Sequence, residues 1–345
     1  MASMALPPST ASPLQAFVRA QFLTKPAPPP LSTCLAGQTA IVTGANTGIG
    51  LAAAASLLRY HASHIVIASR SVEKGEAAAS PLRKQYPDAQ IEVWQLDMLS
   101  YESIQGFVKN CSNLSRLDKV ILNAGVAMGD FVINKTTGHE ATFQVNYLST
   151  ALLAILLLPI LKSKRQAHAP GRMTIVASGL GLVSQFANRD ANPLIPSFDD
   201  PKGWGTTAAL ERYGLTKTLV LMLVQKLSEI VDPSEIIINA IEPGLVGGSG
   251  LQQHAPAYLR AIFRLVHAIA ARSIEQGAWA YVDAVAVKDQ ESHGGLVLNW
   301  KIHPFHPMMY EPSGKQATER LWKETMQELG FSNAQGIIDS MHKAH

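Results

Sequence analysis

Tyr213 and Lys217 stand four residues apart in "YGLTK", so on a helix they share one face and can act as a pair. A phenol whose reference pKa is near 10 is a poor acid–base group at neutral pH, but an adjacent ammonium stabilises the phenolate and lowers that value. Such a tyrosine can give a proton to a carbonyl oxygen during a reduction, or take one from an alcohol during an oxidation. A Tyr–Lys pair at this spacing arises by chance in roughly a third of chains of this composition, so its setting has to support it. Here the pair opens the apolar helical run "TLVLMLVQKL" and follows a candidate strand that ends at Ser178. A second feature is "TGANTGIG", residues 43–50, with three glycines within seven positions. Glycine loses the most conformational freedom on folding, so this density indicates either a ligand approaching the backbone or a tight turn.

These groups need elements to hold them. From residue 38 onward, short β-branched runs alternate with longer helical patterns, giving candidate strands at 38–43, 64–68, 91–96, 119–124, 173–178, 235–241 and 295–300. Repeated strand–helix units predict an α/β fold, a Rossmann-like, doubly wound, seven-stranded parallel sheet in a single domain with right-handed crossovers. Ligands of such sheets bind beyond the carboxyl ends of the strands, and the tails here ("TGANTGIG", "SRS", "LDM", "NAG", "ASG", "EPG") are rich in small or hydrogen-bonding residues. "TGANTGIG" then joins the first strand to a helix starting near Gly48, whose unpaired N–H groups and dipole suit a pyrophosphate.

The glycine spacing is Gly-x-x-x-Gly-x-Gly, not the Gly-x-Gly-x-x-Gly of many dehydrogenases. With "NAG" at 123–125, Ser178 and "YGLTK" at 213–217, it resembles the short-chain dehydrogenase/reductases from about Gly37 to Trp300, and in detail the reductases of fungal secondary metabolism. The resemblance implies a catalytic set of Ser178, Tyr213, Lys217 and Asn146. Ser178 would hold the oxygen that Tyr213 protonates, Lys217 would also bond the nicotinamide ribose, and Asn146 in "FQVNYLST" would support a water relay to the lysine. It also implies cofactor contacts at Gly44, Asn46, Thr47, Gly48, Ile49, Gly50, Asp97, Met98, Asn123, Ala124, Gly125, Tyr213, Lys217, Pro243, Gly244, Val246 and Ser249. Asp97 would bond the adenine amine, although by itself it could equally cap the helix near "SYES".

Cofactor choice rests on the residues after the second strand. A carboxylate there would bind ribose hydroxyls, whereas "SRS" supplies Arg70, with Lys74 beyond it, and two cations suit a 2′-phosphate. NADPH/NADP+ is therefore the expected cofactor. Two departures from the family stand out. Gly248 occupies the place of the usual Thr or Ser after the Pro–Gly turn, with Ser249 one residue later. The separation of Ser178 from Tyr213 is also long, and the inserted residues are expected to lie over the active site and enclose a bulky substrate.

The totals narrow the alternatives. A chain of 345 residues with 47% hydrophobic content can bury a large core, and a net charge of +3 without basic clusters argues against nucleic acid. The apolar run "ALLAILLLPIL" is too short to span a bilayer and reads as a buried helix, so no stable membrane insertion is expected. Cys34 and Cys111 form no metal pattern and fit a reducing, cytoplasmic setting, and the first 36 residues do not read as a secretory signal. The expected organisation is an extension over 1–36, a core domain over 37–302 with an insertion at 186–212 and a substrate-covering segment at 247–275, and a C-terminal extension over 303–345. In that extension, 314–329 is an amphipathic helix that packs on the core or on another subunit. The expected function is NADPH-dependent reduction of a carbonyl on a bulky, mostly apolar molecule such as a polyketide or other natural-product intermediate. A non-redox cyclase or dehydratase, a nucleotide-sensing regulatory protein, and a monomer or homodimer stay open.

Overall fold

Seven apolar, largely β-branched runs form parallel strands: β1 (Thr39–Thr43), β2 (His64–Ser69), β3 (Gln90–Gln95), β4 (Lys119–Leu122), β5 (Gly171–Val176), β6 (Ile236–Glu242) and β7 (Gly295–Leu298). They are seen in a computed structural model that describes residues 2–248 and 269–342. An eighth strand, β8 (Lys301–His303), turns back antiparallel on β7, one strand more than the sequence pattern predicts. Its cause is local. Asn299 and Trp300 both hold positive φ, 53° and 62°, which is the twist of a two-residue hairpin, and nothing in their side-chain types announces it except the asparagine. The sheet order is β3-β2-β1-β4-β5-β6-β7-β8, so the direction of winding reverses between β1 and β4 and a crevice opens at their carboxyl ends.

The helices are α1 (Pro13–Val18), α2 (Gly48–Arg59), α3 (Val72–Gln85), α4 (Tyr101–Cys111), α5 (Ala141–Lys164), α6 (Thr206–Ile230), α7 (Ile274–Val282), α8 (Pro312–Glu328) and α9 (Ala334–Met341). Successive strand residues face opposite sides. Val42, Ile65, Ile67 and Ile241 pack with Ala53, Leu57, Ala79 and Tyr281 of α2, α3 and α7. Ile41, Val66, Val120 and Ile238 pack with Phe107, Leu153 and Leu219 of α4, α5 and α6. Both faces being covered, the strands read as continuous apolar runs.

Helix α5 is apolar and long enough to cross a bilayer, but 89% of its most apolar stretch is buried inside the fold. Helices α4 and α9 pack on α5. The amphipathic helix α8 packs on this chain's own core through Ala317, Leu321 and Met326, and Thr325 shares a 2.8 Å hydrogen bond with the Tyr147 hydroxyl of α5.

The insertion after Ser178 is docked into the core. Phe186, Leu194, Ile195 and Phe198 are buried in the core, and the Phe198 ring stacks on Phe143 at 4.2 Å with the planes 3° apart. The Glu324 carboxylate of α8 accepts from the N–H groups of Leu194 and Ile195, at 2.8 Å and 2.7 Å. Its proline- and glycine-rich composition reads as loop, but four buried hydrophobic side chains, each worth about 1.5–3 kcal/mol on burial, fix its path. Near its end Trp204 reaches the loop after β4, donating from Nε1 to the Gly129 carbonyl at 2.9 Å.

Candidate active site

Parallel strands deliver all their carboxyl ends to one edge, so residues far apart in sequence meet there. Tyr213 and Lys217 lie one turn apart on α6, only 7% and 4% exposed. Lys217 Nζ donates to the Val176 carbonyl at the end of β5, at 2.8 Å, and lies 5.8 Å from the centre of the Tyr213 ring. Two residues past Val176, Ser178 opens the short turn Gly179–Leu182, and its hydroxyl accepts from the Leu180 N–H at 3.3 Å and faces the Tyr213 phenol. Asn146 sits in a π turn of α5, Gln144–Leu148, which swings its amide inward. Oδ1 accepts from the Val126 N–H and Nδ2 donates to the Val126 carbonyl, both at 2.8 Å, and Nδ2 also donates to Thr216 Oγ1 at 3.0 Å. A Cβ on Gly125 would fall 3.1 Å from Asn146 Oδ1 and 3.4 Å from Lys217 Nζ, so these two side chains converge on that glycine.

The electrostatics differ from the expectation of a lysine-lowered phenol. Burial pushes Tyr213 up to about 12, the Ser178 hydrogen bond pulls it down, and the Glu242 carboxylate pushes it further up. Burial also lowers Lys217 to about 8. The ammonium is turned to a backbone carbonyl, and desolvation of the phenolate outweighs any help from it. At neutral pH Tyr213 therefore holds its proton, which makes it a donor rather than a base.

The glycine loop forms a cradle at the β1–β4 crevice. Gly44 and Gly48 hold φ of 65° and 60°, and a Cβ on Gly50 would lie 2.6 Å from Asn123 Nδ2 and 2.8 Å from the Gly44 carbonyl. Asn123 Nδ2 donates to the Thr43 carbonyl at 2.8 Å, while Thr43 Oγ1 accepts from the N–H groups of Asn123 and Ala124, each at 3.0 Å. Thr47 at the N-cap of α2 makes no side-chain cap, and the first turn carries no acid, so backbone N–H groups are left for an anion. This donor set and the missing Cβ atoms fit a dinucleotide phosphate. Asn46 and Ile49 lie within the loop, Ile49 close to Val246 beside Gly277.

The outer contacts are placed as follows. Arg70 and Lys74 are exposed at the end of β2 and in the first turn of α3, which Ser71 caps through the Lys74 N–H at 3.2 Å. Asp97 follows β3 and accepts from the Leu99 N–H at 3.0 Å, and the cap of α4 falls to Ser100 instead. Met98 is buried, its carbonyl accepting from Ser149 Oγ at 2.6 Å. Pro243 and Gly244 form the turn after β6, with Gly244 at φ 88°, and Val246 pairs with Arg272 in a strand-like bridge. Ser249 lies outside the described residues.

Three further residues belong to this neighbourhood. Glu242 and Tyr281 are buried beside Tyr213, and Arg272 donates to the Pro243 carbonyl at 2.8 Å. "EPG" hints at the first, whereas Tyr281 and Arg272 arrive from α7 and its approach with no local sequence signal.

Comparison with known proteins agrees with this geometry. The family model described as short chain dehydrogenase matches residues 38–189. The short chain dehydrogenase/reductase mfmJ of Annulohypoxylon moriforme is 47% identical over 344 residues, covering 99% of this chain and 99% of that relative. The short chain dehydrogenase virL of Hypocrea virens is 40% identical, covering 95% of both. Among solved structures, a short-chain dehydrogenase from Sphingobium yanoikuyae in complex with NADPH has the same fold, with a TM-score of 0.54 and 21% identity over 71% of this chain and 83% of that one.

Proposed function

We propose, from the premise that this chain belongs to the short-chain dehydrogenase/reductase family, that it is an NADPH-dependent ketoreductase acting on a bulky, mostly apolar carbonyl compound, with natural-product intermediates as the favoured class. The observation that carries the reading is the buried Tyr213 phenol, facing the Ser178 turn and one helical turn from the buried Lys217. The apolar preference is supported by Leu180, Val183 and Leu210, which stay 38%, 42% and 49% exposed close in sequence to Ser178 and Tyr213. Arg70 and Lys74 support NADPH over NADH, because two exposed cations can meet a 2′-phosphate. The NADPH complex of the Sphingobium enzyme is consistent with that choice.

When bound, the nicotinamide supplies the hydride. Ser178 donates to the substrate carbonyl oxygen and orients it toward the phenol. Tyr213 passes its proton to that oxygen as charge develops there, and the Lys217 charge stabilises the phenolate left behind. Asn146 fixes the Val126 backbone and Thr216, holding the floor of the site still while this happens. Tyr213 and Lys217 are both buried, so the transfer runs with little competition from solvent.

The test is NADPH consumption by the purified protein against ketones graded from small to polycyclic, with Tyr213→Phe alongside. Consumption that depends on the tyrosine and rises with substrate bulk is expected. Turnover retained by Tyr213→Phe would remove the mechanism.

A further inference from the structure

Glu242 ends β6 with only 7% of its surface exposed, a buried carboxyl that the proton transfer above does not use. Its Oε1 accepts from the Gly179 N–H at 3.3 Å, in the turn that begins with Ser178. A Cβ on Gly179 would sit 3.5 Å from the same oxygen, so the carboxylate lies against that turn. The N–H of Gly244, in the turn after β6, also faces this carboxylate. One side chain therefore spans the loops that follow two neighbouring strands, β5 and β6.

We propose that Glu242 is a positioning residue of this site: its buried carboxylate ties the Ser178 turn to the end of β6, where Pro243 and Gly244 follow, and sets a carboxyl charge next to the catalytic tyrosine. The inference rests on Tyr213 being the proton donor.

Among the described residues, the charged and titratable groups facing Glu242 are few. Tyr213 faces it from α6, Tyr281 from α7, and Arg272 from the segment before α7. Arg272 is the counter-charge, but its guanidinium donates elsewhere, to the carbonyls of Pro243 and Ala20 at 2.8 Å each and to Asn299 Oδ1 at 2.6 Å. Lys217 in turn is committed to the Val176 carbonyl. Burial pushes the Glu242 carboxyl up, with Arg272 and the two N–H donors pulling it back. Both tyrosines are pushed up in turn, mainly by burial and further by this carboxylate. With Glu242 ionised, a Tyr213 phenolate would be a second negative charge beside it. Removing the charge must therefore ease the phenol's ionisation.

Two variants of the full chain separate charge from reach. Glu242→Gln removes the charge and sets an amide donor against one of the two N–H groups. Glu242→Asp keeps the charge and shortens the reach. Tyr213 ionisation is read without any substrate, as the ultraviolet phenolate titration of each protein minus that of its Tyr213→Phe counterpart. The pH profile of NADPH oxidation, kcat and the KM for NADPH are measured in parallel. Glu242→Gln is expected to lower the Tyr213 midpoint by about one pH unit or more. Glu242→Asp is expected to keep the midpoint near wild type while raising the KM for NADPH several-fold. An unmoved Tyr213 midpoint in Glu242→Gln overturns the electrostatic role, and an unchanged KM in Glu242→Asp overturns the tie between the turns. Should Glu242→Gln fail to fold, the Glu242→Asp arm still decides the tie. A wild type that consumes no NADPH with any ketone defeats the ketoreductase reading and leaves the titration to judge Glu242 separately.

Discussion

The Tyr281 hydroxyl on α7 donates a 2.9 Å hydrogen bond to Asn123 Oδ1 at the end of β4, joining residues 158 positions apart. Asn123 in turn holds the glycine loop through the Thr43 and Gly44 carbonyls, at 2.8 Å and 3.3 Å. Helix α7 thus sets the asparagine, and the asparagine sets the cradle. Tyr281→Phe leaves the Oδ1 of this half-buried asparagine without its donor, a loss of about 1 kcal/mol. The expected result is a dissociation constant for NADPH raised several-fold with kcat little changed. A constant within twofold of wild type, by calorimetry, would show that the loop keeps its shape unaided.

Cofactor preference should follow Arg70. Its side chain is exposed and makes no ion pair among the described residues, so nothing in the fold depends on it. Arg70→Asp replaces a phosphate-binding cation with a carboxylate that repels a 2′-phosphate and accepts from ribose hydroxyls. The ratio of kcat/KM for NADPH over NADH is expected to fall on the order of tenfold or more, the scale of one charge-assisted hydrogen bond. An unchanged ratio would move 2′-phosphate recognition to Lys74 or to another element.

How much of this the sequence discloses depends on the distance over which each signal acts. The seven parallel strands are legible because burial on both faces leaves an unbroken apolar run, and the Tyr213–Lys217 pair is legible because helical spacing is local. Strand β8 is missed because a three-residue edge strand carries no periodicity. The docking of the insertion is not legible because loop composition dominates it, while Phe186, Leu194, Ile195 and Phe198 have partners far along the chain. Charge state is the least legible. The spacing of Tyr213 and Lys217 suggests a lowered phenol, and only burial in three dimensions reverses the sign.

The pH dependence of reduction should be set by Lys217. Tyr213, held near 12 by burial, stays protonated throughout the neutral range and imposes no limb there. Lys217, lowered by burial to about 8, is charged below that pH and neutral above it. The reductive kcat/KM is expected to be flat below about pH 7 and to fall above about pH 8, approaching tenfold per pH unit. Lys217→Arg, whose guanidinium stays charged, should lose that limb even if its plateau is lower. Identical alkaline limbs in both proteins would assign the titration to another group.

Stability should carry a different pH signature, because His139 bridges two acids from distant elements. Its Nδ1 pairs with Asp199 of the insertion at 2.9 Å and its Nε2 with Glu328 of α8 at 3.1 Å. Burial would lower the imidazole, but hydrogen bonds and charge from the two carboxylates outweigh it and raise it to about 9. A group raised above its unfolded value binds its proton more tightly in the folded state. Its contribution is fully present below about pH 6.5 and is lost as pH climbs through about 9. The size is on the order of 2–3 kcal/mol. Denaturant unfolding of wild type at pH 6.5 and 9.5 should therefore show a loss that His139→Gln, already lacking the charge, largely does not. Parallel losses in the two proteins would mean that the Phe143–Phe198 stack holds the insertion to α5 and the Glu324 contacts hold it to α8, with the imidazolium contributing nothing.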